Sequence, residues 1–432
     1  MSGPEDGSKL QIVHGHGPCS RSFLHDVQEN SKTSTLLNSE EFLHHDRNRV
    51  ESLHSLLSKT SNKKPPKQSS KGAVLPVQTG ISLGTGNYIV RVGFGTPKED
   101  MSMVFDTGSG LTWIQCKPCV RSCHEQQDPI FSPSGSTSYS NVSCNTSECS
   151  LLKNATGVSP ACGSSSNCIY GIQYGDQSFS IGYFAHETLT ITPTDVFPGF
   201  QFGCGQNNQG SFGKSAGLLG LGRDKLSFVS QTFAKYGGRF SYCLPSTSSS
   251  TGYLTFGTPK GLSSSTKFTP MVIDPRDPSL YFIDMIAISV GGRKLKISAS
   301  LFASSGTIID SGTVITRLPQ TAYASLQSTF KQYMSSYPSA PAYSILDTCF
   351  NLTGYSQVKV PNLSLYFKGG ARLDIDPSGV LIAASSSQVC LAFAGNQNDQ
   401  DVGIIGNKQQ QKLEVVYDVA NNKLGFVPGS CK

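Results

Sequence analysis

The chain has 432 residues, enough for two cores of good size plus an extension. With 44 glycines, abundant serine and threonine and 15% charged residues, it suits many short strands joined by tight turns, and it is read as mostly β. A net charge of +6 over this length is mild and calls for no polyanionic partner, so nucleic acid is not expected.

The first 72 residues differ from the rest. Ser39, Glu40 and Glu41 open a predicted helix, Leu43, Val50, Leu53 and Leu57 fall on one face of it, and Lys59 closes it. The stretch Lys59 to Lys71 has no apolar period and reads as an exposed, cleavable linker. No aromatic is interleaved among its lysines to stack on bases. Six of the eight histidines sit in this leader: His14, His16, His25, His44, His45 and His54. From Gly86 the pattern turns to strands, beginning with Asn87 to Gly95. Two later helices are predicted, Ser227 to Tyr236 before Gly237-Gly238, and Pro319 to about Tyr337 with Tyr323, Leu326, Phe330 and Tyr333 on one face.

All thirteen cysteines except Cys19 lie from Cys116 onward, an even set that points to six disulfides and an oxidising compartment. The early cluster of Cys116, Cys119, Cys123, Cys144, Cys149, Cys162 and Cys168 opens with Cys-x-x-Cys, but no second close pair completes a zinc set, and no metal is expected. Sequons at Asn141, Asn145, Asn154, Asn351 and Asn362 agree with a secretory route and are glycosylation candidates. Met1 to Leu10 shows no basic start followed by an apolar run, and no later stretch is expected to span a bilayer. The cysteines carry more weight than the missing leader pattern, so an extracellular (apoplast) or vacuolar location is expected.

Two stretches are near copies: Val104-Phe105-Asp106-Thr107-Gly108-Ser109 and Ile308-Ile309-Asp310-Ser311-Gly312-Thr313. Each sets a carboxylate, a hydroxyl and a glycine behind an apolar run. Each is followed by an apolar-apolar-Gly element, Leu218-Leu219-Gly220 and Ile404-Ile405-Gly406. A repeat at this scale suggests a duplicated lobe, and two carboxylates sharing one proton can activate water. On that chemistry the histidine-rich leader reads as an inhibitory segment whose grip loosens as imidazoles gain charge.

From about Asn87 to Cys431 the chain resembles the pepsin-type (A1) aspartic proteases, and most closely their plant nepenthesin-like branch. Asp106-Thr107-Gly108-Ser109-Gly110 with Trp113 is similar to the first active-site loop, and Asp310-Ser311-Gly312-Thr313 to the second. Tyr174-Gly175 is similar to the flap tip, the Cys116 to Cys168 stretch to the branch's insert, and Gly403 to Asn407 with Val416 to Phe426 to the C-terminal signature. The resemblance implies a bilobal fold, two β-barrel-like lobes with the active-site cleft between them, preceded by a pro-segment. Its implied division is 1–75 for pro-segment and linker, 76–262 for the N-terminal lobe and 263–432 for the C-terminal lobe.

The resemblance also implies roles. Asp106 and Asp310 hold the lytic water, and Gly108 and Gly312 let the loops turn tightly. Thr107 and Ser311 cross-link the loops, Ser109 and Thr313 bond the outer carboxylate oxygens, and Tyr174 closes over the scissile bond with its hydroxyl on the Trp113 indole. The implied disulfides are Cys116–Cys119, Cys123–Cys204, Cys144–Cys168, Cys149–Cys162, Cys243–Cys431 and Cys349–Cys390. The expected activity is an endopeptidase made as a zymogen, working at roughly pH 3 to 5 on extended polypeptides. It would need no cofactor, be sensitive to pepstatin-type inhibitors, and act as a monomer. Two alternatives stand beside it: a binding or inhibitor protein of the same fold, and a plastid-type protease with nucleic-acid affinity.

Overall fold

The computed structural model describes residues 34–57, 72–174, 177–258, 262, 266–355, 357–428 and 431. His14, His16, His25, Cys19, Gly175 and the Lys59 to Lys71 linker lie outside the described residues.

The two copies of the repeat become two equivalent pieces of sheet. The strand Glu99–Asp106 runs parallel to Gly217–Gly220, with Leu219 opposite Phe105 and Gly220 opposite Asp106. The strand Thr307–Ile309 runs parallel to Gly403–Ile405, with Ile405 opposite Ile309. Each trailing apolar-Gly element therefore lies beside the strand that delivers its aspartate, in the same register. Phe105, Leu219, Ile309 and Ile405 are buried, so each aspartate leaves a strand anchored in the core.

A six-stranded antiparallel sheet ties the halves of the chain together. From one edge it reads Ala73–Thr79, Gly252–Phe256, Arg239–Cys243, Leu413–Asp418, Lys423–Pro428 and Phe268–Val272. The pairing of Arg239–Cys243 with Leu413–Asp418 joins strands from the two repeats. Phe240 stacks on Tyr417 there at 4.3 Å between ring centroids, with Tyr281 edge-on to Tyr417 at 4.7 Å.

The expected helix Ser227 to Tyr236 is present as two single turns, Phe228–Gln231 and Phe233–Tyr236. The Ser227 hydroxyl caps the first by accepting from the Ser230 N–H, and Gly237 ends the second in the left-handed region. The later helix runs from Gln320 to Tyr333. It buries Tyr323, Leu326 and Phe330 as the spacing predicts, whereas Tyr333, its last residue, is exposed.

The six disulfides among the described residues join cysteines from Cys116 onward, but four of the pairings implied by the resemblance are different. Cys116 pairs with Cys204 rather than Cys119, because Trp113–Gln115 runs parallel to Asp195–Gln209 and places Ile114 beside Cys204. Cys123 then pairs with Cys119, stapling its own short loop, rather than with Cys204. The helix Ser147–Thr156 turns Cys149 inward onto buried Cys168, not Cys162. Exposed Cys162 meets Cys144, which therefore does not reach Cys168. Cys243 pairs with Cys431, and Cys349 with Cys390. Asn141, Asn145, Asn154, Asn351 and Asn362 are all exposed.

The leader helix spans Ser34–Leu57, starting before the predicted Ser39. Leu43, Val50, Leu53 and Leu57 are buried. Leu43 packs with Val314 and Ile315, and the other three pack with Phe282, Ile308 and Ile404. The apolar stripe therefore sits mainly on the second repeat. At about 1.5–3 kcal/mol per buried large aliphatic side chain, these contacts are a substantial docking force.

Candidate active site

Asp106 and Asp310 are both fully buried and face one another across the pseudo-symmetric loops. Each carboxylate is held twice by its own loop. Asp106 accepts from the Gly108 N–H at 2.8 Å and the Ser109 hydroxyl at 2.5 Å. Asp310 accepts from the Gly312 N–H at 3.0 Å and the Thr313 hydroxyl at 2.6 Å. Asp-hydroxyl-Gly-hydroxyl is thus a ligand pattern for one carboxylate, with the third residue donating from the backbone and the fourth from its side chain.

The loops are tied by the second residue of each triplet. The Thr107 N–H donates to the Ser311 hydroxyl oxygen at 3.1 Å, and the Ser311 N–H donates to the Thr107 hydroxyl oxygen at 2.9 Å. Ser311 spends its own proton on the Phe105 carbonyl at 3.2 Å. Gly108 and Gly312 are needed for space, and neither lies in the left-handed region. A Cβ at Gly108 would sit 2.8 Å from Asp310 Oδ1, and one at Gly312 would collide with the Asp106 carboxylate. Any larger residue would push the two aspartates apart.

Trp113 is fully buried, and its indole N–H donates to the Tyr174 hydroxyl at 2.8 Å. Phe212 packs edge-on against both rings, 4.8 Å from Trp113 and 5.6 Å from Tyr174. Tyr174 follows the strand Cys168–Gln173, which pairs with Phe179–Thr192. Beyond the second repeat, Asn407 donates to the Ser311 carbonyl at 3.0 Å, and Gln410 donates to those of Asp310 at 3.2 Å and Ile405 at 2.8 Å. These amides brace the second loop.

The site holds two residues that the sequence reading passed over, Arg49 and Asp46 of the leader helix. Arg49 Nη2 lies 2.8 Å from Asp106 Oδ1 and 3.0 Å from Asp310 Oδ2, bridging the pair. Its Nε donates to Asp310 Oδ2 at 3.2 Å and to the Thr313 hydroxyl oxygen at 3.3 Å. Asp46 is buried and pairs with Arg317 Nη2 at 2.9 Å. A signal was present: Leu43, Asp46, Val50, Leu53 and Leu57 alternate three and four apart, which sets an acid inside the apolar stripe.

Burial pushes Asp106 above the usual carboxylate range, and the charge on Asp310 adds to this against the pull of Arg49. Burial also acts upward on Asp310. There Arg49, the Thr313 hydroxyl and the Gly312 N–H outweigh it and hold the group below that range. With the leader docked the two carboxyls are thus unequal, Asp106 raised and Asp310 lowered.

Comparison with known proteins agrees with the geometry. Residues 88–258 match the family described as xylanase inhibitor N-terminal, and residues 280–428 the one described as xylanase inhibitor C-terminal. An aspartyl protease family protein of Arabidopsis thaliana is 53% identical over 424 residues, covering 98% of this chain and 87% of its own. The aspartic proteinase nepenthesin-2 of Nepenthes gracilis is 37% identical over 377 residues, covering 84% of this chain and 81% of its own. Among solved structures, basic 7S globulin from soybean shares the fold with a TM-score of 0.66 at 21% identity, covering 84% of this chain and 97% of that one. The paired Asp-hydroxyl-Gly loops and these relatives together place the chain in the pepsin-type aspartic protease family, in its plant nepenthesin-like branch.

Proposed function

We propose that this protein is an aspartic endopeptidase made as a zymogen, in which the leader helix fills the cleft and Arg49 neutralises the dyad until it withdraws. The observation that carries the reading is the single guanidinium nitrogen shared by Asp106 and Asp310. A cation placed there occupies the position between the carboxylates where a water would be activated. Such a plug has a use only if the dyad is competent. We place the end of the leader before Ala73, since the strand Ala73–Thr79 belongs to the six-stranded sheet. The lobes then run to about residue 262 and from 263 onward.

With Arg49 gone, the charged carboxyl takes a proton from water, which attacks the peptide carbonyl carbon. The protonated carboxyl donates to the carbonyl oxygen, giving a tetrahedral diol. A proton then moves to the leaving nitrogen, and the C–N bond breaks. Ser109 and Thr313 stabilise the charged form, and the Thr107–Ser311 exchange keeps the two loops in register. Tyr174 would cover an extended polypeptide from above, steadied by Trp113. The singly protonated dyad must dominate, which sets an acidic working range of roughly pH 3 to 5. Six disulfides and exposed sequons support a secreted or vacuolar, glycosylated protein.

The test is incubation of acidified protein with denatured globin, with and without pepstatin. Cleavage that pepstatin abolishes is the expected result. No cleavage at any acidic pH would favour the other reading, a binding protein of the same fold, to which the description of the matching families lends weight.

A further inference from the structure

We propose that Arg317, together with the backbone N–H groups of Val314 and Ile315, forms a carboxylate subsite that takes an acidic side chain of the substrate once the leader helix has left. The proposal rests on the protease reading above and adds a substrate preference to it.

In the leader-bound protein this place is filled by Asp46. Its Oδ1 accepts from the Val314 N–H, and its Oδ2 accepts from the Ile315 N–H at 3.2 Å and from Arg317 Nη2 at 2.9 Å. Two backbone donors and one guanidinium converge on both oxygens of one carboxyl group, a pattern that an amide, with a single acceptor oxygen, cannot satisfy. Arg317 itself is only 4% exposed, and its Nη1 has no hydrogen-bond partner among the described residues. Of the leader's charges, Asp46 acts most strongly on it, Arg47 opposes, and Glu51 adds a smaller attraction. Departure of the helix takes the Asp46 carboxyl away from the guanidinium and frees two backbone donors at once. Three donors that converge on one point are then left without their carboxyl group, so the site suits another anion.

Its position makes that anion a substrate group. Thr313, which bonds Asp310 at 2.6 Å, immediately precedes Val314. Asp46 precedes Arg49 by three residues on the helix, about 4.5 Å along the axis at ~1.5 Å per residue. An extended peptide advances ~3.3 Å per residue. The acid should therefore fall within about three residues of the scissile bond.

The experiment starts from the folded full chain, with the leader released by acid self-cleavage or by a protease site inserted in the Lys59 to Lys71 linker. Matched peptides carry Asp or Asn at each position across the scissile bond and are assayed at about pH 5, where a free Asp is mostly ionised. The expected result is one position where Asp exceeds Asn by at least about tenfold in kcat/KM. Arg317→Met should bring that ratio near one, and Arg317→Lys should keep part of it. A wild-type enzyme that cuts neutral peptides but prefers Asp nowhere overturns the proposal, as does an Arg317→Met enzyme that keeps the ratio.

If no peptide is cut, the protease reading fails, and the subsite is read by binding instead. A synthetic Ser34–Leu57 peptide is titrated against the nicked wild-type protein, which also serves if Arg317 variants do not fold. Asp46→Asn in the peptide should weaken binding by at least about tenfold. Equal binding of the two peptides overturns the proposal.

Discussion

Arg49 Nη2 lies 2.8 Å from Asp106 Oδ1, so a residue of the leader helix makes an ion pair with an aspartate of the first active-site loop. That contact, continued onto Asp310, couples the leader to the chemistry. Breaking a largely buried ion pair from one side costs about 3–5 kcal/mol, and a dyad able to take up a proton should bring the loss toward the low end. Arg49→Ala is expected to release the leader more readily. Self-cleavage measured by gel against time should begin at higher pH than in the parent chain; an unchanged onset would mean that the apolar stripe and the Asp46–Arg317 pair hold the helix without Arg49.

The pH dependence follows from three groups with different signs. Burial holds His54 below its ordinary value, although its Nε2 lies 2.8 Å from the Val402 carbonyl. Its contribution to docking is therefore present above about pH 6.5 and is lost as pH falls through the lowered value. Asp310, held low in the docked state, likewise favours docking above about pH 4 and loses that contribution in more acid solution. Asp46 opposes both. Burial raises it, so it favours docking in acid and loses that contribution as pH rises. His54→Gln should move the midpoint of self-cleavage to lower pH by up to about one unit. His44→Gln, at an exposed position, is the control and should leave the midpoint in place.

Removing the first aspartate tests the chemistry. Asp106→Asn should lower kcat by at least about 10³-fold in the acid globin assay and remove pepstatin binding with it. A variant that retained turnover within tenfold would exclude a paired-carboxylate mechanism.

The cross-link between the loops has a separate energetic signature. Ser311→Ala leaves the buried Thr107 N–H without its acceptor, at a cost of about 1–3 kcal/mol. Urea unfolding should show this loss. A Ser311→Thr variant keeps the hydroxyl and should recover part of the stability if the added methyl is accommodated.

Disulfides that close different loops should differ in value. By chain entropy, Cys119–Cys123, four residues apart, contributes about 2 kcal/mol, and Cys243–Cys431, separated by 188, about 5 kcal/mol. Replacing both members of each pair with serine and comparing denaturant midpoints should rank them in that order. A peptide map under non-reducing conditions checks the pairings themselves.

Much of the site was legible because its chemistry is local. Asp106, Gly108 and Ser109 lie within four residues, as do Asp310, Gly312 and Thr313, and each set forms one carboxylate cradle. The trailing Leu-Leu-Gly and Ile-Ile-Gly elements were visible as a recurrence, and the structure shows them as the parallel neighbours of the two aspartate strands. The apolar stripe of the leader was equally visible at helical spacing. What the residues by themselves determined was therefore the two half-sites, the β class and the amphipathic leader. Tertiary structure decided which cysteines meet, because that depends on strand register and on which sulfurs turn inward. It also decided that Arg49 reaches the dyad and that Asp46 faces Arg317. A charged residue in a helix pattern looks like a solvated face, and only the docked partner supplies the opposite charge that makes its burial affordable.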